Sequence, residues 1–261
     1  MRYFIVADVH GHYDEMLAAL RNAGFDRDNP NHCFVSLGDL LDRGRQPFEC
    51  LAYVCNLDPE RCILIRGNHE DLIEEMLERG WPATHDVHNG TALTVCDLTD
   101  CDDETFTQGV ARMNELDYWC QYIRSLRNFH ETQNGIFVHG WIPCEKATKF
   151  NADRGFYQLY EYNPDWRRSH NDAWETARWT NGMEAWEGGL REPGKTIFCG
   201  HYHTAWGRAA IDGTCEFYSD NPADYVTWEN DGIVALDACT AFTHYVNCYV
   251  FDDEPLEGEE I

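Results

Sequence analysis

The segment Tyr3-Phe4-Ile5-Val6-Ala7-Asp8-Val9-His10-Gly11 joins a short apolar run directly to an aspartate and a histidine. An apolar run of this length predicts a buried strand. The aspartate and the histidine then lie at the carboxyl end of that strand, which is where ligands gather in open α/β sheets. The segment therefore predicts a parallel sheet with a functional site at its edge.

The first third of the chain repeats this arrangement. Apolar runs at Cys33–Leu37 and Cys62–Ile65 predict two more strands. Helical periodicity predicts three helices, which contain Met16–Leu20, Phe48–Cys55 and Asp71–Arg79. Short connections in a β-α-β-α-β order imply parallel strands joined by right-handed crossovers. The fold class is therefore predicted to be α/β.

Two long stretches interrupt this pattern. Residues 81–127 carry no strand signal and contain helix-compatible segments, so a helical insertion near the site is expected there. Residues 142–193 are rich in Trp, Tyr and Asn with weak periodicity, and a second, partly helical insertion is expected. We expect a single domain over residues 1–261, with these two insertions as caps.

The second half of the chain is predicted to contain further strands. Residues 129–138 predict a hairpin that turns at Asn134-Gly135. Apolar runs at 196–199, 232–237 and 245–251 predict three more strands, and the last two are expected to be antiparallel.

Four later segments also follow predicted strands with aspartate, asparagine or histidine. They are Gly38-Asp39-Leu40-Leu41-Asp42-Arg43-Gly44, Arg66-Gly67-Asn68-His69-Glu70, Val138-His139-Gly140 and Gly200-His201-Tyr202-His203. Oxygen and imidazole donors suit a pair of ions such as Mn, Fe or Zn better than a thiolate site or a calcium cage would. A two-metal site with arginines beside it predicts hydrolysis of a phosphate ester.

The charge of the chain limits its partners. The formal net charge is −26 and the sequence pI is about 4.6, so the surface repels a polyphosphate backbone and a nucleic-acid partner is not expected. Any basic pocket for phosphate must be local and built from a few arginines. The acidic residues from Asp252 to Glu260 are expected to form a solvated terminus.

The cysteines and the N-terminal residues predict where the chain resides. None of the twelve cysteines forms a C-x-x-C pair, so free thiols in a reducing compartment are expected. The chain has no signal-peptide pattern and no apolar run long enough to span a bilayer. A cytoplasmic protein without a membrane partner is therefore expected, with its oligomeric state left open.

In this order and spacing, the five segments resemble the calcineurin-like metallophosphoesterases of the phosphoprotein phosphatase family, especially its compact bacterial and phage serine/threonine phosphatases. The family pattern is GDxHG, GDxxDRG, GNHE, HG and GH, and the resemblance runs from Ala7 to about Asp237. The chain departs from the pattern at Ala7, where the family usually has glycine. The resemblance implies an α/β/β/α sandwich with two mixed β-sheets and helical insertions.

The resemblance also implies two divalent metal ions, with manganese expected and iron, zinc or cobalt as alternatives. It assigns Asp8 and His10 to the first metal, and Asp39 to a position that bridges both. Asn68, His139 and His201 would complete the second metal site. His203 matches the second histidine of a broader GHxH motif, so it is either an additional ligand or a histidine outside the ligand set.

The same resemblance assigns catalytic and phosphate-binding roles. His69 would donate a proton to the leaving alkoxide, and Asp42 would orient it. Arg43, Arg66 and Arg178 would hold the phosphate, because guanidinium groups match the geometry of phosphate oxygens.

Three functions are consistent with these motifs. The leading hypothesis is a phosphoserine or phosphothreonine phosphatase acting on a phosphoprotein or on a small phosphoester. The second is a nucleotide hydrolase, of the kind that splits diadenosine tetraphosphate symmetrically. The aromatic residues of 142–193 could form its base pocket, although 20 Lys and Arg against 46 acidic residues disfavour it. The third is a non-catalytic, metal-binding scaffold.

Overall fold

The computed structural model describes residues 1–151 and 155–256, and the side chains of residues 146–158 fall outside that description. The strands are β1 (Arg2–Val6), β2 (His32–Ser36), β3 (Cys62–Leu64), β4 (His130–Glu131), β5 (Gly135–Phe137), β6 (Cys144–Asn151), β7 (Gly155–Tyr162), β8 (Thr196–Cys199), β9 (Trp228–Asn230), β10 (Ile233–Ala235) and β11 (Cys248–Asp252). The helices are α1 (Tyr13–Ala23), α2 (Pro47–Cys55), α3 (Asn68–Arg79), α4 (Thr84–Asn89), α5 (Thr91–Thr99), α6 (Phe106–Glu115), α7 (Asp117–Ser125), α8 (Asn171–Arg178), α9 (Gly182–Glu187), α10 (Ala205–Gly207) and α11 (Thr240–Thr243).

The first sheet has the order β11-β1-β2-β3. The three strands β1, β2 and β3 are parallel, with Val6 opposite Ser36 and Ser36 opposite Leu64. The β-α-β-α-β prediction is therefore confirmed. Parallel strands place their carboxyl ends at one edge of the sheet, which brings the loops after β1, β2 and β3 together.

The second sheet has the order β4-β5-β8-β10-β9. Strands β4 and β5 form the expected hairpin across Asn134, while β5, β8 and β10 are parallel. The expectation that the last two predicted strands are antiparallel is only partly right. Strand β10 is antiparallel to β9 but parallel to β8, and β11 crosses to the first sheet, where it runs antiparallel to β1.

Successive side chains of each strand point to opposite faces of its sheet, and both faces of both sheets are covered, which gives four layers. Tyr3, Ile5 and Val35 of the first sheet face Phe137 and Phe198 of the second in one buried cluster between the sheets. The alternate residues of β1 and β2 pack against α1, α2 and α3, and the outer face of the second sheet packs against α8 and α9. The layers are therefore helix, sheet, sheet, helix, as the family resemblance implies.

The segment 81–127 is helical, as expected, and contains α4 to α7. Its buried side chains Val95, Met113 and Trp119 belong to the same core cluster as Phe4 and Phe34 of the first sheet. This segment is therefore part of the outer helical layer. Its expected position as a cap stays a prediction.

The second insertion differs from the expectation in one respect. Residues 142–193 contain the helices α8 and α9, but they also contain the two-stranded sheet β6-β7, whose register runs from Cys144 opposite Tyr162 to Asn151 opposite Gly155. Residues 152–154 of the insertion lie outside the described residues. A separate two-stranded ribbon need not present a cleanly alternating face, so the sequence pattern that predicts strands is weak there.

The acidic C-terminal residues depart from the expected solvated terminus at Asp253. Asp252 closes β11 and forms an ion pair with Arg2, at 2.8 Å. Asp253 is buried and accepts hydrogen bonds from Thr132 and Asn134 at 2.7 Å each. The solvated-terminus expectation is therefore wrong for Asp253, whereas Asp252 is exposed as expected. Residues 257–261 lie outside the described residues.

Two other expectations concern thiols and membranes. Cys33, Cys50 and Cys199 are free and buried, as the sequence predicted. Within residues 1–151 and 155–256, the structure contains no helix with the length and apolar character needed to span a membrane.

A charged cluster joins the second sheet to the second insertion. Arg167 donates two hydrogen bonds to Glu131, at 2.7 and 2.5 Å, and another to Glu192 at 2.8 Å, while Lys195 lies 2.8 Å from Glu131. Burial raises the pKa of Glu131, but the hydrogen bonds from Arg167 and Lys195 outweigh that effect and hold the pKa below its ordinary value.

We predict that Glu131→Gln lowers the free energy of unfolding by about 2 kcal/mol at pH 7. A carboxylate with a depressed pKa stabilises the fold above its unfolded-state pKa, and this contribution disappears as the pH falls through the folded-state pKa. The difference between the variant and the wild type should therefore shrink below about pH 4. Urea unfolding at pH 7 and at about pH 3 measures the difference. The exposed Glu115→Gln is the control, and an equal loss at both pH values would contradict the prediction.

Candidate metal centre and active site

The loops after six strands meet at one edge of the two sheets. Asp8, Asp39 and Asn68 follow β1, β2 and β3, and His139, His201 and Asp237 follow β5, β8 and β10. All of them except the half-buried His201 are buried. Because the strands in each set are parallel, their carboxyl ends bring these side chains together.

Two histidine clusters share one carboxylate. Asp39 Oδ2 lies 3.7 Å from His10 Nε2 and 3.9 Å from His69 Nε2, while Asp39 Oδ1 lies 3.4 Å from His139 Nε2. His201 completes the second cluster. Each oxygen of Asp39 therefore faces a different cluster, which is the arrangement that the predicted bridging role requires.

Asn68 lies within the second cluster. Its Oδ1 atom is 2.8 Å from His139 Nε2 and 2.9 Å from His201 Nδ1. An amide oxygen and two imidazole nitrogens thus converge on one small volume. Asn68 is the first residue of α3, so the helix start and the strand end fix it together.

Backbone carbonyls orient two of the imidazoles. His10 Nδ1 lies 3.0 Å from the carbonyl of Leu41, and His139 Nδ1 lies 2.8 Å from the carbonyl of Leu37. A carbonyl can only accept, so each Nδ1 carries its proton and each Nε2 presents its lone pair to the clusters. This is the tautomer that a metal ligand needs.

Three carboxylates are buried close together. Burial and the nearby Asp237 and Asp39 raise the pKa of Asp8, and burial raises the pKa of Asp237 to about 6. Burial also acts to raise the pKa of Asp39, but His139, His69 and His10 outweigh it and lower that pKa. Divalent cations would compensate this concentration of buried negative charge. The donor set of carboxylate, amide and imidazole therefore fits a pair of such ions.

His69 and Asp42 form a buried pair. Asp42 Oδ2 lies 2.7 Å from His69 Nδ1, and burial lowers the pKa of His69 less than Asp39 and Asp42 raise it. Thr91 and Thr94 each donate a hydrogen bond to Asp42, at 2.7 Å. Both threonines lie on α5. The helical segment 81–127 therefore fixes the carboxylate of Asp42, which in turn orients His69.

Arg43 faces both His10 and His69. Its guanidinium nitrogens lie 2.9 Å from His10 Nε2 and 3.0 Å from His69 Nε2. A guanidinium group can only donate, so both Nε2 atoms act as acceptors here. Arg43 therefore lies against both histidines, and its contact with phosphate stays a prediction.

Arg66 and Arg178 converge on another carboxylate, that of Asp71. Arg66 Nε lies 2.6 Å from Asp71 Oδ1 and the guanidinium also pairs with Glu74, while Arg178 Nε lies 2.6 Å from Asp71 Oδ2. Asp71 thus fixes both arginines by ion pairs. Their predicted contact with phosphate stays a prediction.

The structure places His203 among tyrosines. Its ring packs against Tyr202 and Tyr225, at centroid distances of 5.7 and 5.6 Å, and its Nδ1 is buried without a hydrogen-bond partner within the described residues. Neither of the two clusters around Asp39 contains it. Its assignment as a ligand stays a prediction.

Glu70 joins the loops after β2 and β3. Its carboxylate accepts hydrogen bonds from the backbone N–H groups of Gly67, Asp39 and Leu40, at 2.8, 3.0 and 3.1 Å. The hydroxyl of Tyr122, on α7, donates to it at 2.9 Å. Gly38 allows these loops to approach, because it has φ +99° and a Cβ there would lie 2.6 Å from the nitrogen of Gly67.

Left-handed backbone is concentrated at this site. Six of its residues have positive φ without being glycine, namely Asp8 (51°), His10 (50°), Asp39 (53°), Asp42 (70°), Arg43 (62°) and His201 (66°). Such residues are uncommon and are maintained only when the surrounding contacts fix them. The site is therefore held in place by its hydrogen bonds.

Several side chains of the site were not predicted from the sequence. Asp237 follows a strand as Asp8 does, and that rule could have found it. Glu70 is in the GNHE motif but had no role assigned. Thr91 and Thr94 carry no local signal, because only the packing of α5 brings their hydroxyls to Asp42.

A profile of the calcineurin-like phosphoesterase family matches residues 1–205, and the chain belongs to this family. Members of the family are metal-dependent phosphoester hydrolases with a dinuclear site for divalent ions. The predicted family is therefore confirmed, and so is the fold that it implies.

Individual relatives differ in what they act on. The chain is 28% identical over 199 residues to the asymmetrical bis(5'-nucleosyl)-tetraphosphatase PrpE of Bacillus velezensis, which covers 69% of this chain and 75% of that protein. It is 39% identical over 69 residues to the serine/threonine-protein phosphatase PP1-delta of Caenorhabditis elegans, over 25% of this chain and 22% of that protein. A crystal structure of a cold-active protein-tyrosine phosphatase from a psychrophilic Shewanella species aligns with a TM-score of 0.48, 14% identity and coverage of 94% of this chain and 74% of the other.

We predict that Thr94→Val lowers the free energy of unfolding by about 1–2 kcal/mol, because it removes a donor from the buried Asp42 without changing the shape of the side chain. Thr94→Ser keeps the hydroxyl and should recover part of the loss. Urea unfolding measures both variants. The control is Thr99→Val on the same helix, since the hydroxyl of Thr99 donates to the carbonyl of Val95 in its own helix. Equal stability of Thr94→Val and the wild type would contradict the prediction.

Proposed function

We propose that this protein is a phosphomonoesterase that removes phosphate from phosphoserine or phosphothreonine in proteins. The observation that carries the proposal is the His69–Asp42 pair beside Arg43, at the edge of two histidine clusters that share Asp39. A serine or threonine alkoxide is a poor leaving group, and its departure benefits from a proton donor in the transition state. A phosphate leaving group needs this help less.

The side chains divide the reaction between them. Two divalent ions, when bound, would neutralise charge on the phosphate and supply an activated water for in-line attack. Asp8, His10 and Asp39 would hold one ion, and Asp39 with three further residues would hold the other, namely Asn68, His139 and His201. His203 is a proposed additional ligand.

The remaining groups would act on the substrate. Arg43 would orient the phosphate through its two donor nitrogens, with Arg66 and Arg178 as further contacts held by Asp71. With Arg43 turned to the substrate phosphate, His69 protonated on Nε2 would give that proton to the leaving oxygen, and Asp42 would keep the ring in place through Nδ1. We propose manganese as the native metal because it accepts mixed oxygen and imidazole donors, with iron, zinc and cobalt as alternatives. A cytoplasmic location is part of the proposal.

The proposal is tested by comparing hydrolysis of a phosphothreonine peptide with hydrolysis of diadenosine tetraphosphate by the manganese-loaded protein. The peptide should be cleaved faster, and Asp39→Asn should lose at least about two orders of magnitude in kcat/KM. Faster cleavage of the dinucleotide would contradict the proposal. Two bound metals without turnover of either substrate would favour the non-catalytic scaffold instead.

We also predict that His69→Asn acts according to the leaving group. The kcat on the phosphothreonine peptide should fall by about 10²–10⁴, but much less on p-nitrophenyl phosphate, whose leaving group needs little protonation. Thr94→Val should show the same pattern with a smaller loss, because it acts through Asp42. Metal content, measured on the same samples, should be unchanged. Equal losses on both substrates would exclude proton donation by His69.

A nucleotide hydrolase is the second candidate, and one observation favours it. Trp179 is 53% exposed and packs edge-to-face on His201, with centroids 5.6 Å apart. Tyr202, also exposed, lies beside the same histidine. Exposed rings beside a phosphate-binding centre offer a surface on which a base can stack. The long match to PrpE is consistent with this alternative, and it leaves open which phosphate bond is cleaved.

Trp179→Ala separates the two candidates. If a base stacks on Trp179, the KM for diadenosine tetraphosphate should rise about tenfold while the KM for the peptide stays constant. The control is Trp81→Ala, which removes another exposed tryptophan, in the segment 81–127. An unchanged KM for the dinucleotide would remove the support for the second candidate.

A further inference from the structure

A third group of metal-ligand side chains lies outside the clusters around Asp39. It consists of His12, Glu15 and His244, whose ligand atoms all lie within 4.8 Å of one another. His12 and Glu15 belong to the start of α1, and His244 follows α11 near the other end of the chain. The family motifs do not include Glu15 or His244, so the proposed function does not use this group.

The first helical turn positions two of the three ligands. His12 and Glu15 are three residues apart, a spacing that places side chains on the same face of a helix. Nδ1 of His12 lies 3.9 Å from Oε2 of Glu15. The ring of His244 approaches that of His12 at a centroid distance of 5.7 Å and an interplanar angle of 61°. The group therefore brings together residues that are far apart in the sequence.

The donor set selects a class of ion. Two imidazoles and one carboxylate, with water in the remaining position, form a common ligand set for zinc and suit cobalt as well, whereas magnesium and calcium prefer oxygen alone. Tetrahedral zinc, with bonds of about 2.0–2.2 Å, needs ligand atoms roughly 3.4 Å apart. The ligand atoms of this group lie within 4.8 Å of one another, so they would move closer together to bind such an ion.

The surrounding charge is compatible with a cation. The N-terminus of a helix carries partial positive charge, which disfavours a metal ion. Asp14 and Glu15 lie in the first turn of α1 and offset that charge, and the formal net charge of −26 favours cations over the surface generally.

We propose that His12, Glu15 and His244 form a third site for a divalent ion of the zinc class, open to solvent. An ion there would connect α1 to the segment that runs from Asp237 through α11. His12 is also two residues from His10, so the third site lies beside the candidate centre along the chain. The proposal does not depend on which phosphoester the protein hydrolyses.

The test counts bound cobalt by equilibrium dialysis against cobalt chloride, in the full chain and in variants. His244→Ala and Glu15→Gln should each bind one equivalent fewer than the wild type, or bind it at least about tenfold more weakly. Exposed His88→Ala is the control and should match the wild type. His12 is left unchanged in these variants because of its closeness to His10.

Equal cobalt content and equal affinity in the wild type, His244→Ala and Glu15→Gln would overturn the proposal. Circular dichroism checks that each variant is folded, and the two variants alter different elements, so misfolding of one leaves the other informative. The measured quantity is the difference in cobalt binding between variants, and it does not depend on catalytic turnover. Failure of the third site is therefore distinguishable from failure of the proposed hydrolase. If only the proposed hydrolase fails, the protein has no activity on the peptide but still shows the difference in cobalt binding between variants.

Discussion

The buried carboxylate of Glu70 is the constraint on which the candidate site depends. Its hydrogen bonds with the N–H groups of Gly67, Asp39 and Leu40 fix the loop after β2 against the loop after β3. These loops carry Asp39 and Asn68, which belong to the histidine clusters. Backbone N–H groups buried in such loops would otherwise lack acceptors, at a cost of about 1–3 kcal/mol each. One side chain therefore satisfies the loops and sets the distance between the ligands that they carry.

A second constraint is electrostatic. Asp8, Asp39 and Asp237 are buried together, and the imidazoles around Asp39 lower its pKa while Asp8 and Asp237 have raised pKa values. Anionic groups gathered in this way are expensive unless cations balance them. The buried carboxylates and the left-handed backbone at six site residues thus destabilise the fold locally. Bound metal ions would offset this loss of stability. Stored strain of this kind is typical of functional sites.

The sequence predicts those parts of the structure that depend on local pattern. The strands around Val6 and Val35 follow from continuous apolar runs, and the motifs after them follow from the rule that parallel strands collect ligands at one edge. The ribbon β6-β7 was not predicted because its two neighbouring strands lack a clean alternation. The parallel alignment of β10 with β8 and the burial of Asp253 depend on pairing between distant segments. No periodicity within those segments encodes that pairing, so it could not be predicted. The contacts of Thr91 and Thr94 with Asp42 could not be predicted for the same reason. The packing of the helical layer, and no local pattern, brings α5 to Asp42.

The packing of the helical layer supports the side chains of the site from one side, whereas substrate would contact them from the other. Thr91, Thr94 and Tyr122 reach Asp42 and Glu70 from the segment 81–127. On the other side, the exposed Trp179 and Tyr202 lie against His201 and come from different segments. Changes in those aromatic residues can alter which group rests beside the clusters without disturbing the hydrogen bonds behind His69. A single arrangement of ligands could therefore serve phosphoproteins in one relative and dinucleotides in another, and the aromatic side is where this chain's own preference has to be sought.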